Sequence, residues 1–278
     1  MSQDPLQIAM IDPHHLVSKD DAESVAAAVT RQIQHDLARY WAVTGSVHFF
    51  SNAENVPSGS ALIQLVPTTD KNQFGYHSLD GQQPVAFVEA PQNGRLWSLT
   101  VSHEALEMTV DRWGNYCVPG TSPDGQRQVQ YLVEICDPCQ SPSAGYSIDG
   151  WLMSEFVLQS YYSPAATQGP FSINGRVPAP RGLLPGGYIS WLDPTMGDSW
   201  FSKSMDDEGV ASTRQLGAAP IDASMRAWVD RQTGSSRRHH TASSDIVQRL
   251  DQDRERVVAS GRIMVSESMR YWRELIGS

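Results

Sequence analysis

The apolar residues of this chain change period as the sequence proceeds, and each change marks an element. Leu6–Ile11 (LQIAMI) is a short apolar run that reads as a strand. Over residues 20–41 the period lengthens. Val25, Val29, Ile33, Leu37 and Trp41 recur every fourth residue, with Ala22 and Ala26 beside them, which predicts a long amphipathic helix. Ser18 is placed to cap it, with Asp21 three residues on. Gly45 closes the following turn. Residues 46–50 and Ala61–Val66 read as strands, with 52–59 as a loop between them and Pro67 as the stop. Residues 68–81 are polar and read as a loop carrying Gly75, Tyr76 and His77. Residues 84–89 (PVAFVE) read as a strand whose leading proline suits a strand start or a sheet edge. After a turn at 91–94, residues 96–112 read as a second helix, ended by Trp113, Gly114 and Asn115. Leu99, Val101, Leu106, Met108 and Val110 make it apolar on several sides, so it is expected to be buried.

The second half is less periodic. Residues 129–135 (VQYLVEI) read as a strand, 146–148 and 151–158 as short strands or a short helix, and 171–173 and 188–192 as strands in a Gly/Pro-rich, aromatic region. Residues 203–243 are poor in bulky apolar side chains and read as a flexible linker, Ser235 to His240 included. Residues 244–276 carry a second helical stripe: Ile246, Val247, Leu250, Val257, Val258, Met264, Val265, Tyr271, Trp272 and Leu275, interrupted by Arg254 and Gly261. Such a helix suits packing on the core or self-association with another copy. No internal repeat is visible. The expected organisation is an α+β domain over 1–202 (a core at 5–140 and a loop-rich β extension at 141–202), a linker at 203–243 and a C-terminal helix at 244–278.

Composition narrows the function. The 278 residues are 40% hydrophobic and 19% charged, which leaves room for a sizeable core. The net charge of -10 disfavours a phosphate-binding surface, so nucleic acid is not an expected partner. No apolar run reaches transmembrane length, and the first twelve residues carry no basic region before an apolar one. The expectation is a cytoplasmic protein with no membrane partner. Cys136 and Cys139 form a CxxC, but no second ligand pair completes a zinc ribbon, with Cys117 the remaining cysteine. A redox CxxC opens a helix. This one runs into Gln140-Ser141-Pro142-Ser143, so buried or loop thiols, or an adventitious disulfide, are expected in place of a thiol oxidoreductase.

The chemistry concentrates in His103-Glu104-Ala105-Leu106-Glu107, one residue away from the HExxH of zinc metallopeptidases. On a helix, residues 103 and 107 share a face one turn apart and can point at one metal ion. Glu104 is then placed to activate a water at that ion. On a solvent-facing helix the same letters would only add solubility; the apolar surroundings favour partnered side chains. A catalytic zinc site takes three protein groups, so a third ligand must come from elsewhere. Asp111 lies two turns from His103, about 12 Å along the axis, which suits a supporting role. Glu134, set among apolar neighbours, is the first choice, followed by Asp137 and then Asp111. Two carboxylates and one imidazole form a hard ligand set, so the cofactor is a divalent metal: zinc first, with manganese, iron or calcium as alternatives. His77 is the other candidate, polarising a substrate carbonyl or packing locally with Tyr76. His14-His15 and His239-His240 lack matching ligands and read as solvated.

The element order together with the motif resembles the zincin-type metallopeptidases over roughly residues 5 to 140. Those proteins share a twisted sheet, a backing helix and an active-site helix, and a substrate lies along the edge strand just before that helix. The segment SHEALEMTVD followed by VEICDP is also similar to a bacterial and phage group of zincin-like proteins. The resemblance implies a metal-dependent hydrolase acting on a peptide or protein substrate. In it, His103, Glu107 and Glu134 hold the ion, Glu104 is the general base and His77 assists at the oxyanion. Glu107 in place of the second histidine leaves a rival open. That rival is a catalytically inactive zincin-fold protein, with a structural metal site, that binds a partner or assembles through its C-terminal helix.

Overall fold

The computed structural model describes residues 4–69, 74–90, 96–165, 168–220 and 224–233. In chain order its strands and helices are β1 (Leu6–Ile11), α1 (Lys19–Arg31), α2 (Ala38–Trp41), β2 (Gly45–Phe50), β3 (Ala61–Val66), β4 (Gly75–Asp80), β5 (Gln83–Glu89) and α3 (Leu96–Val110). There follow β6 (Cys117–Thr121), β7 (Gln128–Leu132), β8 (Tyr146–Ile148), β9 (Trp151–Met153), α4 (Gln159–Tyr162), β10 (Tyr188–Asp193), β11 (Ser199–Met205), β12 (Ala211–Ala218) and α5 (Met225–Thr233).

Two five-stranded sheets result. The first runs β2-β1-β3-β5-β4, with every neighbouring pair parallel except the antiparallel edge strand β4. The second runs β12-β11-β10-β7-β6 and is antiparallel throughout. Short parallel strands buried on both faces are apolar in runs, as β1 is. Pro119 is tolerated inside β6 because β6 is an edge. One cluster of buried side chains runs from Leu6 on β1 to Trp191 on β10 and takes in both sheets. A smaller cluster of Leu132, Trp200, Trp228 and Val229 holds α5.

The helix expected over residues 20–41 is helical throughout, but not uniformly. Ser18 Oγ caps α1 by accepting from the Asp21 amide at 3.1 Å. Between α1 and α2 the chain takes a π-helical stretch, Gln32–Leu37, and Ala42 ends the run in the left-handed region. The widened turn carries Gln32 inward, where it is fully buried. No helix among the described residues is long and apolar enough to cross a membrane.

Three expectations are corrected. The polar segment 68–81 contains a strand, β4, and β4 rather than 84–89 is the edge of the sheet. Its sequence GYHSLD buries only His77, so it lacks the apolar alternation that marks a strand. The segment 203–243 is not a linker over its described part, because it completes β11 and forms β12 and α5. β12 is polar because it lies exposed and pairs through its backbone. The charged residues of α5 mislead for another reason: Arg226 and Asp230 point into the protein. The strand read at 129–135 is β7, which stops at Leu132, so Glu134 sits in the turn beyond it. The C-terminal helix among the described residues is therefore the short α5, and the stripe at 244–276 lies outside the described residues.

That turn is pressed from the far side by Gly187, just ahead of β10. A Cβ at 187 would overlap the Pro138 carbonyl oxygen and stand 2.7 Å from its carbon and 3.0 Å from the Asp137 oxygen. Backbone on both sides leaves nothing flexible to yield. Gly187→Ala should therefore destabilise the fold by about 1–3 kcal/mol, lowering the melting temperature by roughly 3–10 °C in a calorimetric scan. An unchanged transition would show that the turn yields freely.

Candidate metal centre

Helix α3 is buried on nearly every side, so its polar residues must find partners inside the protein. On one side Ser98 Oγ donates to the Leu152 carbonyl at 2.9 Å. Ser102 Oγ donates to Gln32 Oε1 at 2.6 Å and accepts from the Ser154 amide at 2.9 Å. Asp111, just past the helix end, accepts from the amides of Asn115 (3.1 Å) and Tyr116 (2.8 Å). Both Asp111 oxygens thus shape the turn that leaves the helix, and burial raises its carboxyl above the usual range.

The HExxE residues meet a second set of partners. His103 Nε2 lies 3.3 Å from Glu107 Oε2, one turn along, and 3.3 Å from Asp137 Oδ1 in the turn after β7. Glu104 reaches the edge strand, where His77 Nδ1 donates to its Oε2 at 2.8 Å. Gly75 lets β4 come this close: a Cβ there would collide with Thr100 Cγ2 and stand 3.2 Å from Glu104 Oε1. Glu107 Oε1 accepts from the Cys136 amide at 3.1 Å, and His77 Nδ1 lies 3.9 Å from Glu107 Oε2. The sequence-derived candidates His77, His103, Glu104, Glu107, Glu134 and Asp137 therefore share one region, and Asp111 is engaged with backbone beside it.

Arg226 is the participant that the sequence did not suggest. From α5 its Nη1 donates to Glu107 Oε2 at 2.8 Å and to Glu134 Oε2, and lies 3.4 Å from Asp137 Oδ2. Its Nε donates to Asp230 Oδ2 at 3.1 Å. Only the i, i+4 pairing of Arg226 and Asp230 around Trp228-Val229 hints at this in the sequence, and solvated pairs share that spacing.

Burial opposes every charge in this region, and the neighbours decide the outcome. Burial pushes the Glu107 carboxyl up, but the Arg226 guanidinium and His103 pull it well below the usual carboxylate range. Burial pushes the His103 imidazole down, but Glu107, with a further hydrogen bond to Asp137, raises it well above its ordinary value. The His103 side chain is 12% exposed, against 3% or less for His77, Glu104, Glu107 and Asp137. It is the solvent-facing member of this group.

Among the described residues, two overlapping sets could hold a metal ion. His77, Glu107 and Glu134 form a fully buried group, and His103, Glu107 and Cys136 form another; within each, the potential ligand atoms lie within 4.8 Å of one another. Two atoms here are buried without a hydrogen-bond partner among the described residues, His77 Nε2 and Glu134 Oε1. Such atoms are costly to bury unless something binds them. Comparisons with protein-family models, curated proteins and solved structures gave no match.

The thiols are protected. Cys136 and Cys139 are free and fully buried. Burial, then the charges of Glu107 and Glu155 respectively, pushes each thiol well above its ordinary value. Burial pushes Cys117 up to about 12. A thiol so raised forms almost no thiolate near neutral pH and is a poor nucleophile. In the native protein at pH 8, a maleimide should label Cys136 and Cys139 only on the timescale of unfolding, and all three cysteines at once in denaturant. Rapid native labelling of either CxxC residue, read by mass spectrometry, would contradict this burial.

Proposed function

We propose that the chain is a metal-dependent hydrolase of the zincin type, acting on a peptide bond. The observation that carries the reading is the gathering of the HExxE residues with His77, Glu134 and Asp137 around Glu107, with His77 Nε2 and Glu134 Oε1 left without hydrogen-bond partners. The sheet supports it as well. A mixed sheet is backed by α1, and α3 follows a hairpin whose outer strand β4 is an antiparallel edge.

His103 and Glu107 would hold the ion. Asp137 is a candidate third ligand, its Oδ1 lying 3.3 Å from His103 Nε2 as Glu107 Oε2 does, while the sets whose ligand atoms all lie within 4.8 Å of one another are completed by Cys136 or by His77 and Glu134. Glu134, first choice by sequence, is engaged by Arg226. The set is hard enough for manganese or iron, with zinc the first expectation. A metal so held would polarise a carbonyl and acidify water.

The chain's own residues supply the rest. His77 Nδ1 holds one oxygen of Glu104, which fixes the carboxylate against the edge strand and leaves Oε1 as the proton acceptor. Among the described residues no strand pairs with the outer side of β4, whose backbone groups can take an extended peptide. Glu104→Gln should keep the metal, measured by elemental analysis of the purified protein, and lose about 10²-fold or more of peptide hydrolysis. Full activity in that variant would end the mechanism.

The rival is a non-enzymatic zincin-fold protein that binds or assembles, and one observation favours it. Arg226 already neutralises Glu107, the residue common to both candidate sets. Chelator separates the two readings. Loss of a bound ion should lower the melting temperature if the cluster holds metal, because a ligand of the native state alone stabilises it. A metal-free protein with the same transition in chelator would leave the rival standing.

A further inference from the structure

The carboxylates of Glu107, Glu134 and Asp137 all face one nitrogen of Arg226. Arg226 Nη1 contacts Glu107 Oε2 at 2.8 Å, Glu134 Oε2, and Asp137 Oδ2 at 3.4 Å. Three oxygens from three carboxylates around one cationic atom is how a metal ion would be surrounded. We propose that Arg226 is an internal stand-in for the divalent cation, so that metal loading and the seating of α5 exclude one another. This rests on the reading of the cluster as a metal site, though not on hydrolysis.

Charge and packing both favour exclusion. A divalent ion on Glu107 would stand beside the guanidinium in a region from which water is shut out, where like charges repel strongly. The ion offers two positive charges to the carboxylates where Arg226 offers one. A narrow void already lies under α5, lined by Glu134, Asp137, Tyr188, Ser190, Arg226 and Val229. Ser190 Oγ is buried there without a hydrogen-bond partner among the described residues.

The seat of α5 also lies outside the main core. The apolar contacts of the helix lie in a separate cluster, where Trp228 and Val229 pack with Leu132 and Trp200 and Met225 lies against them, with Ala227 and Asp230 buried as well. Its first turn is tied by the Arg226 amide to the Gly114 carbonyl at 2.9 Å and the Met225 amide to Asn115 Oδ1 at 2.8 Å. A nine-residue helix on a satellite core is the sort of unit that opens locally while the rest stays folded. In the seated state Trp228 stacks edge-on against Trp200 with ring centroids 6.4 Å apart, which gives the helix its own reporter.

The test uses the full chain labelled with 5-fluorotryptophan, with the Trp228 resonance assigned from Trp228→Phe. Zinc is titrated into chelator-treated protein and its affinity read by competition with a chromophoric chelator. The expected result is a Trp228 resonance that shifts in proportion to bound zinc, and an affinity roughly ten-fold or more higher in Arg226→Met, as for removal of a close charge. Zinc bound with Trp228 unmoved and the same affinity in Arg226→Met would overturn the exclusion while leaving the metal site intact. Zinc bound by neither protein would overturn both. Should Arg226→Met fail to fold, the Trp228 resonance of the wild-type chain decides alone.

Discussion

Glu107 is the residue on which separate parts of this molecule close. Its carboxylate meets His103 on its own helix, the Cys136 amide in the turn after β7, Arg226 on α5 and, more distantly, His77 on the edge strand. The first sheet, the second sheet and the last described helix therefore share one buried anion. An ion taken from water is costly to bury, and the cost is recovered only when every partner is in place. The depressed Glu107 carboxyl is the mark of that recovery. The same constraint explains why α5 can be short and polar: its inward residues Arg226 and Asp230 carry charge, and its apolar contacts lie in the smaller cluster around Trp228 and Val229.

What the sequence reveals depends on whether an element announces itself by apolar period. β1, β3 and α1 do, and so does α3, whose polar letters then stand out as HExxE. β4 is hidden because its one inward residue is a histidine whose partner, Glu104, lies 27 residues away. β12 is hidden because an exposed edge strand has no buried face to display. α5 is hidden because a buried arginine resembles a solvated one until the carboxylates that surround it are known. Those lie 92 to 119 residues earlier for Glu134 and Glu107, and no local window contains them. The candidate site was thus legible where it sits on α3, and its completion depended on contacts that only the fold creates.

Helix α3 carries two polar networks, and they differ in how completely they are satisfied. On one side Gln32 Nε2 donates to Tyr146 Oη and to the Ser154 carbonyl, its Oε1 accepts from Ser102, and Tyr146 donates on to Asp36. Neither the Gln32 amide nor the Ser102 hydroxyl is left unused. A closed network of this kind fixes a helix against its neighbour and has no capacity for a ligand. On the other side His77 Nε2 and Glu134 Oε1 remain without hydrogen bonds among the described residues, and four carboxylates share one guanidinium.

Buried ion networks of the second kind contribute little stability relative to well-packed apolar side chains of similar volume in many proteins. The closed network sets where α3 lies, and in doing so holds His103, Glu104 and Glu107 at fixed positions opposite β4 and the turn after β7. The π-helical stretch that turns Gln32 inward belongs to the same arrangement. Its widened turn supplies the amide that Ser102 needs, one residue from His103. A distortion in the backing helix is thereby coupled, through two side chains, to the orientation of His103, the cluster's most exposed member.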